Sequence, residues 1–323
     1  MPTGWDRFLM LALRPPKGFV RQDGAMSLDV VTLRADGLTS RWVPSVGMVG
    51  VSLFHQGREL LGQRRGLNAY AEQGSTFGIP LLHPFANRLG GFTYAQQGIA
   101  VTLDASSPYV RTEEHGLPIH GLLAAEPGWV VREAGATTLS ADFAFEDAGL
   151  LKLFPFRHRV SLDIVQEPDR VTVSTTVTPT GDRPVPIAFG FHPYLTIPGV
   201  ARDKLVLRTP AMTRLGLDAQ GLPDGRREPH DGRDEPLGES TYDDHFTDLG
   251  DAPSFTLAGG GREIVMHFVE GFTHLQLLAP PRSPVIAIEP MTAAIDALRT
   301  GEGLRSVTEP FRATFAIEVQ PSA

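Results

Sequence analysis

Apolar and polar residues alternate one for one in three well-separated stretches of this chain. That period restricts its fold more than any other feature. Phe156, His158, Val160, Leu162 and Ile164 alternate with Arg157, Arg159, Ser161 and Asp163. Val171, Val173, Thr175 and Val177 alternate with Thr172, Ser174 and Thr176, and Phe311, Ala313, Phe315, Ile317 and Val319 with Arg312, Thr314, Ala316 and Glu318. A period of two sends successive side chains to opposite faces, so each stretch reads as a strand with one buried and one wetter face. Further strand candidates are Leu28–Arg34, Val49–His55, Ile99–Asp104, Trp129–Arg132, Leu139–Phe145, Leu205–Thr209, Ile264–Phe268, His274–Leu278 and Val285–Glu289. Gly 34 and Pro 27 punctuate the whole sequence, which disfavours long helices. Strands at roughly ten-residue intervals with turn residues between them indicate an all-β protein, a large β-sandwich rather than βαβ units. Only short stretches such as Ala293–Leu298 suit a helix. The Gly-, Pro- and charge-rich segment from Leu217 to Glu239 reads as a long exposed loop.

Other features bound the function. The sequence of 323 residues contains no cysteine, which rules out disulfides, thiolate catalysis and cysteine-ligated metals and fits a reducing cytoplasmic setting. A net charge of -8 with no run of Lys or Arg argues against a nucleic-acid partner. The apolar run Phe8 to Leu13 lies between two arginines and is too short to span a membrane. Residues 1–25 therefore read as a leader, with Met26 an alternative start. Residues 26–323 read as one domain, because no linker or fixed-period repeat divides them. No other segment approaches transmembrane length, so no membrane partner is expected, and a monomer or homodimer is.

Several polar residues stand at the ends of apolar, strand-like segments. In GIPLLHPFANRLGGFTY (Gly78–Tyr94), Asn87 and Arg88 follow such a segment. They present either an amide and a planar guanidinium to a cleft or a turn with a solvated arginine. His115 and His120 in HGLPIHG have poor metal spacing. His120 is then a binding residue or a buried histidine held by a carbonyl, and Gly121 beside it permits close approach of a ligand. His192 in FGFHPYL lies among aromatics, as a packed core histidine or as a proton donor near neutral pH. TYDDHFTDL groups Asp243, Asp244 and Asp248 with His245, either as a solvated face or as an acceptor for a diol. Glu289 ends the buried-type strand Val285–Ile288, and Pro290 is expected to stop the ladder there. A carboxylate in that position is costly unless paired or used. It is a general base of raised pKa or a salt-bridge partner of Arg88 or Arg299.

Taken in order, Asn87-Arg88, His120-Gly121, the His192 of FGFHPYL, Asp243–Phe246 and Glu289-Pro290 resemble the aldose 1-epimerase (galactose mutarotase) family over roughly residues 28 to 319. The resemblance implies an antiparallel β-sandwich with an open cleft. It also implies Glu289 as general base, His192 as general acid, and His120, Arg88, Asn87 and Asp243 as substrate-binding residues. No metal and no organic cofactor is implied, and the partner is a small sugar. The sequence departs from the best-known members in the FGFHPYL segment and in having Pro-Met after the glutamate, so the sugar itself is not specified. A hexose-phosphate epimerase would need a cationic pocket, for which Arg64 and Arg65 in GQRRG are candidates. A non-catalytic carbohydrate-binding protein could use the same sandwich.

Overall fold

A computed structural model describes residues 29–321 of the chain. The leader expected at 1–25, and Leu28 at the head of the first strand candidate, lie outside them. The alternating stretches become long antiparallel strands. His158–Gln166 pairs with Arg170–Pro179 along its whole length, and Arg170–Pro179 pairs in turn with Phe311–Pro321. Along His158–Gln166 the inward positions His158, Val160, Leu162 and Ile164 are buried, as the period of two requires.

These three strands form the middle of a nine-stranded sheet that runs from Arg233–Pro236 at one edge to Val130–Ala134 at the other. A second sheet, eight-stranded, carries in order Pro223–His230, Met212–Leu217, Tyr242–Thr247, His274–Ala279, Ile286–Met291, Gly190–Phe191 and Leu81–Leu82, with Tyr194–Leu195 joined to Ile286–Met291 off that path. Aromatic side chains fasten one sheet to the other. Phe191 meets Phe315 edge-on at 5.0 Å between ring centroids, and Phe315 also meets Phe272 at 6.0 Å. Among the described residues, no helix is long and apolar enough to cross a membrane.

Three local expectations need correction. The segment from Leu217 to Glu239 is not one loop, for it contains the strands Pro223–His230 and Arg233–Pro236. Each lies at the edge of a different sheet. Edge strands carry charge and proline because one side of their backbone pairs with nothing, and charge there discourages further pairing. The helix placed at Ala293–Leu298 lies instead at Ala297–Thr300, after Asp296 in a left-handed conformation (φ 64). Finally, Pro290 does not stop its strand, which runs on to Met291. The ladder on the Gly190–Leu195 side pairs Gly190 with Met291 and Tyr194 with Ala287 but is interrupted between those points. Pro290 falls in that gap, where no N–H is demanded of it.

The sheet-to-sheet packing has a direct test. Phe315 is fully buried between Phe191 and Phe272. Phe315→Ala should lower unfolding free energy by about 3–5 kcal/mol, measured by urea denaturation.

Candidate active site

The interruption that accommodates Pro290 also builds the site. Gly190 is opposite Met291 and Tyr194 opposite Ala287, so the same register puts His192 across from Glu289. His192-Pro193 is released from the ladder, and the imidazole reaches the carboxyl directly, with His192 Nε2 3.1 Å from Glu289 Oε1. Both side chains are almost wholly buried. Glu289 therefore pairs with His192 and with neither Arg88 nor Arg299. Arg88 Nε faces Glu113 Oε2 at 3.5 Å, and Arg299 Nη1 faces Asp296 Oδ2 at 3.0 Å.

The His192 ring is held on several sides. It stacks on Tyr194 at 4.2 Å, and the Tyr194 hydroxyl lies 3.2 Å from His192 Nε2 and 2.6 Å from Thr76 Oγ1. His120 meets the ring edge-on at 5.5 Å. On Tyr194, the guanidinium of Arg64 lies 4.6 Å from the ring centroid, a cation–π contact.

Asn87 and Arg88 arrive on the loop after the strand Leu81–Leu82. Asn87 does adopt the left-handed conformation of a turn residue (φ 54). Its Oδ1 accepts from the Arg88 backbone N–H at 2.8 Å and from Arg88 Nη1 at 3.2 Å, and its carbonyl accepts from His120 N at 2.9 Å. Arg88 is buried rather than solvated. His120 is also left-handed (φ 63), and its Nδ1 is buried without a partner. Gly121 serves a different purpose from the one expected. A Cβ there would sit 2.3 Å from the His83 carbonyl oxygen, so the glycine lets this loop close on the protein's own backbone. Asp243, on the strand Tyr242–Thr247, accepts from Gln276 Nε2 at 2.7 Å.

The electrostatics follow from burial. Desolvation, with the neighbouring Asp243 charge, pushes the Glu289 carboxyl well above the usual carboxylate range, while Arg88 and Arg64 oppose the rise. Desolvation, with His120 and Arg64, holds His192 well below the ordinary imidazole value. Burial and the cations Arg88, Arg111 and Arg64 bring His120 down to about 3, so its ring is neutral. A buried carboxyl and imidazole in contact hold one proton between them, and either can give or take it.

The six residues singled out in the sequence thus gather around one location. Glu289, His192 and His120 are in direct or ring contact, or one residue removed from it. Asn87 and Arg88 hold the His120 loop, and Asp243 acts on Glu289 through its charge. Gln276 carries no signal in the sequence beyond being a lone amide inside the otherwise apolar strand His274–Ala279, and Arg64 is marked there only as a candidate, with Arg65, for a cationic phosphate-binding pocket. Among the described residues, the one grouping tight enough for a metal ion is Glu113, Glu114 and His115. Glu113 is already engaged there by Arg88 and by the backbone N–H groups of His115 and Leu117.

Known structures share this architecture. A galactose mutarotase-like protein from Clostridium acetobutylicum superposes with a TM-score of 0.76 at 16% identity, covering 91% of this chain and 95% of the other. The Slr1438 protein of Synechocystis gives 0.74 at 20% identity, covering 94% and 100%. Galactose 1-epimerase from Lactobacillus acidophilus gives 0.73 at 14% identity, covering 94% and 98%. At these identities the likeness is one of fold. Among curated proteins none matches by sequence. The family model for aldose 1-epimerase matches residues 29–318, nearly the whole of the described chain. The chain belongs to the aldose 1-epimerase family.

Proposed function

We propose that this chain is an aldose 1-epimerase that interconverts the α- and β-anomers of a free aldohexose. The observation that carries the reading is the buried contact of 3.1 Å between His192 Nε2 and Glu289 Oε1. Opening a pyranose ring requires a proton to leave the C1 hydroxyl and a proton to reach the ring oxygen. Both oxygens are bonded to C1, so the base and the acid must stand side by side. Passage of the single proton from Glu289 to His192 gives a carboxylate and an imidazolium. Glu289 then removes the hydroxyl proton as His192 protonates the ring oxygen, and the free aldehyde forms. Rotation about C1–C2 presents the other carbonyl face, and ring closure runs the same transfers in reverse. In this reading His120 and Arg88 hold sugar oxygens, Asn87 fixes Arg88, and Asp243 accepts from ring hydroxyls.

The pH behaviour follows from the two shifts. The pair works with one proton. It acquires a second only when His192 protonates, below the ordinary imidazole range, and loses its last when Glu289 ionises, above the ordinary carboxylate range. The plot of kcat/KM against pH should therefore be a bell whose acid limb lies below the ordinary imidazole range and whose alkaline limb lies above the ordinary carboxylate range. Asp243→Asn removes a charge that raises the Glu289 pKa, so the alkaline limb should move to lower pH.

Polarimetry on freshly dissolved α-glucose and α-galactose tests the central reading. The protein should speed the approach to anomeric equilibrium, and Glu289→Gln or His192→Ala should each cost ~10²–10⁴-fold. A wild-type rate equal to buffer with these sugars and other free aldoses would refute it.

One observation favours a phosphorylated substrate instead. Arg64 lies over Tyr194 and, among the described residues, has no carboxylate partner. Arg64→Gln should raise KM for glucose 6-phosphate at least tenfold and leave that for glucose nearly unchanged if Arg64 receives the phosphate. Equal effects on both sugars would leave the neutral substrate as the reading.

A further inference from the structure

Two hairpin turns, far apart in the chain, bring two arginines to one cleft. Val49–His55 turns into Arg58–Glu59 through Gln56-Gly57, and Ser254–Gly259 turns into Arg262–Glu270 through Gly260-Gly261. Both are two-residue turns, since His55 pairs with Arg58 and Gly259 with Arg262. The central residues all have positive φ, 48 and 80 in the first turn and 56 and 74 in the second, which is the type I′ pattern. In each hairpin an arginine is the first residue after the turn, so the turn's own geometry fixes where its side chain starts.

The cleft between the turns measures about 380 Å³, with Gln56, Arg58, Gly260, Gly261 and Arg262 in its lining and residues 197–200 as its further wall. Among the described residues, no carboxylate lines it. Arg58 Nη1 donates to the Pro198 carbonyl at 2.9 Å, which anchors one end of that guanidinium. Its other N–H groups, and the whole Arg262 guanidinium, have no hydrogen-bond or ion-pair partner among the described residues. Burial and the Arg58 charge both lower the Arg262 pKa, so the two cations feel one another. Elsewhere on this acidic chain neighbouring arginines have a carboxylate between them, as Arg214 and Arg226 have Glu228. Two like charges on one cleft repel, and an anion placed between them removes that cost. A phosphate group offers three acceptor oxygens and nearly two charges, enough to accept from two planar guanidinium forks at once. A net charge of -8 makes a polyanion a poor occupant, so the ligand is small.

We infer that the cleft between the two turns binds a small phosphate dianion, free or as a monoester, held by Arg58 and Arg262. The cleft shares no residue with the site around Glu289 and His192. The inference therefore stands or falls independently of the epimerase reading.

Titration calorimetry at low ionic strength tests the site, with inorganic phosphate and glycerol 3-phosphate as probes and no sugar present. Both should bind saturably at a single site. Arg58→Gln and Arg262→Gln should each weaken binding at least about tenfold, since each removes hydrogen bonds to a charged group. Arg64→Gln, at the Tyr194 ring, should leave binding within about twofold of wild type. If Arg262→Gln does not fold, Arg262→Lys takes its place, keeping the charge without the fork, with a loss of the same sign. Tighter binding of glycerol 3-phosphate would identify the occupant as a monoester, and tighter binding of phosphate as the free ion. Lack of saturable binding by both probes would overturn the inference. So would acetate binding as tightly as phosphate, or loss of binding in Arg64→Gln with the Arg58 and Arg262 variants unchanged.

Discussion

Everything at this site depends on a carboxyl group held out of water. Glu289 occupies the middle of the buried strand Ile286–Met291, where an isolated carboxylate would be unstable. The fold resolves this by breaking the neighbouring strand. With the ladder interrupted between Gly190 and Tyr194, His192 stands opposite Glu289 instead of being one more paired residue. The imidazole supplies a partner that shares a proton without adding a fixed charge. An arginine in that place would have locked the carboxylate in its ionised form and removed its capacity to exchange protons.

Charges around the pair are arranged consistently with this. Arg88 is balanced by Glu113 and oriented by Asn87, so its field at Glu289 is tempered and its geometry fixed. Asp243 pushes the Glu289 pKa up while Arg88 and Arg64 pull it down. The aromatic stack of Arg64, Tyr194 and His192 dries one wall, and Thr76 holds the tyrosine hydroxyl. Three distant stretches of the site are thus fixed by backbone constraints: the left-handed Asn87 and His120, the close approach of Gly121 to His83, and the interrupted ladder at His192.

The strands with clear alternation were legible because burial on one face leaves a period of two in the sequence itself. His158–Gln166 and Phe311–Pro321 are cases where pattern and structure agree. Pro223–His230 and Arg233–Pro236 were not legible, since edge strands exposed to water carry no apolar alternation and look like loop. Pro290 misled for a related reason. A proline ends a ladder only where its N–H would have been needed, and that depends on the neighbouring strand. The polar residues of the site were legible as types, each a costly residue at the end of an apolar run. Gln276 was passed over because a single amide in a strand has no motif, and its meaning lies wholly in what stands across from it.

By itself the sequence determined an all-β chain without thiol chemistry and the six polar residues that share one neighbourhood. These follow from composition and short-range order, together with a resemblance spread along the chain. Only the tertiary structure decided that Glu289 meets His192 rather than Arg88 or Arg299, that Arg64 reaches the Tyr194 ring, and that Gln276 donates to Asp243. Those are matters of strand register and of which strand lies beside which. Such pairings are selected by the burial of whole sheet faces, to which residues hundreds of positions apart contribute together.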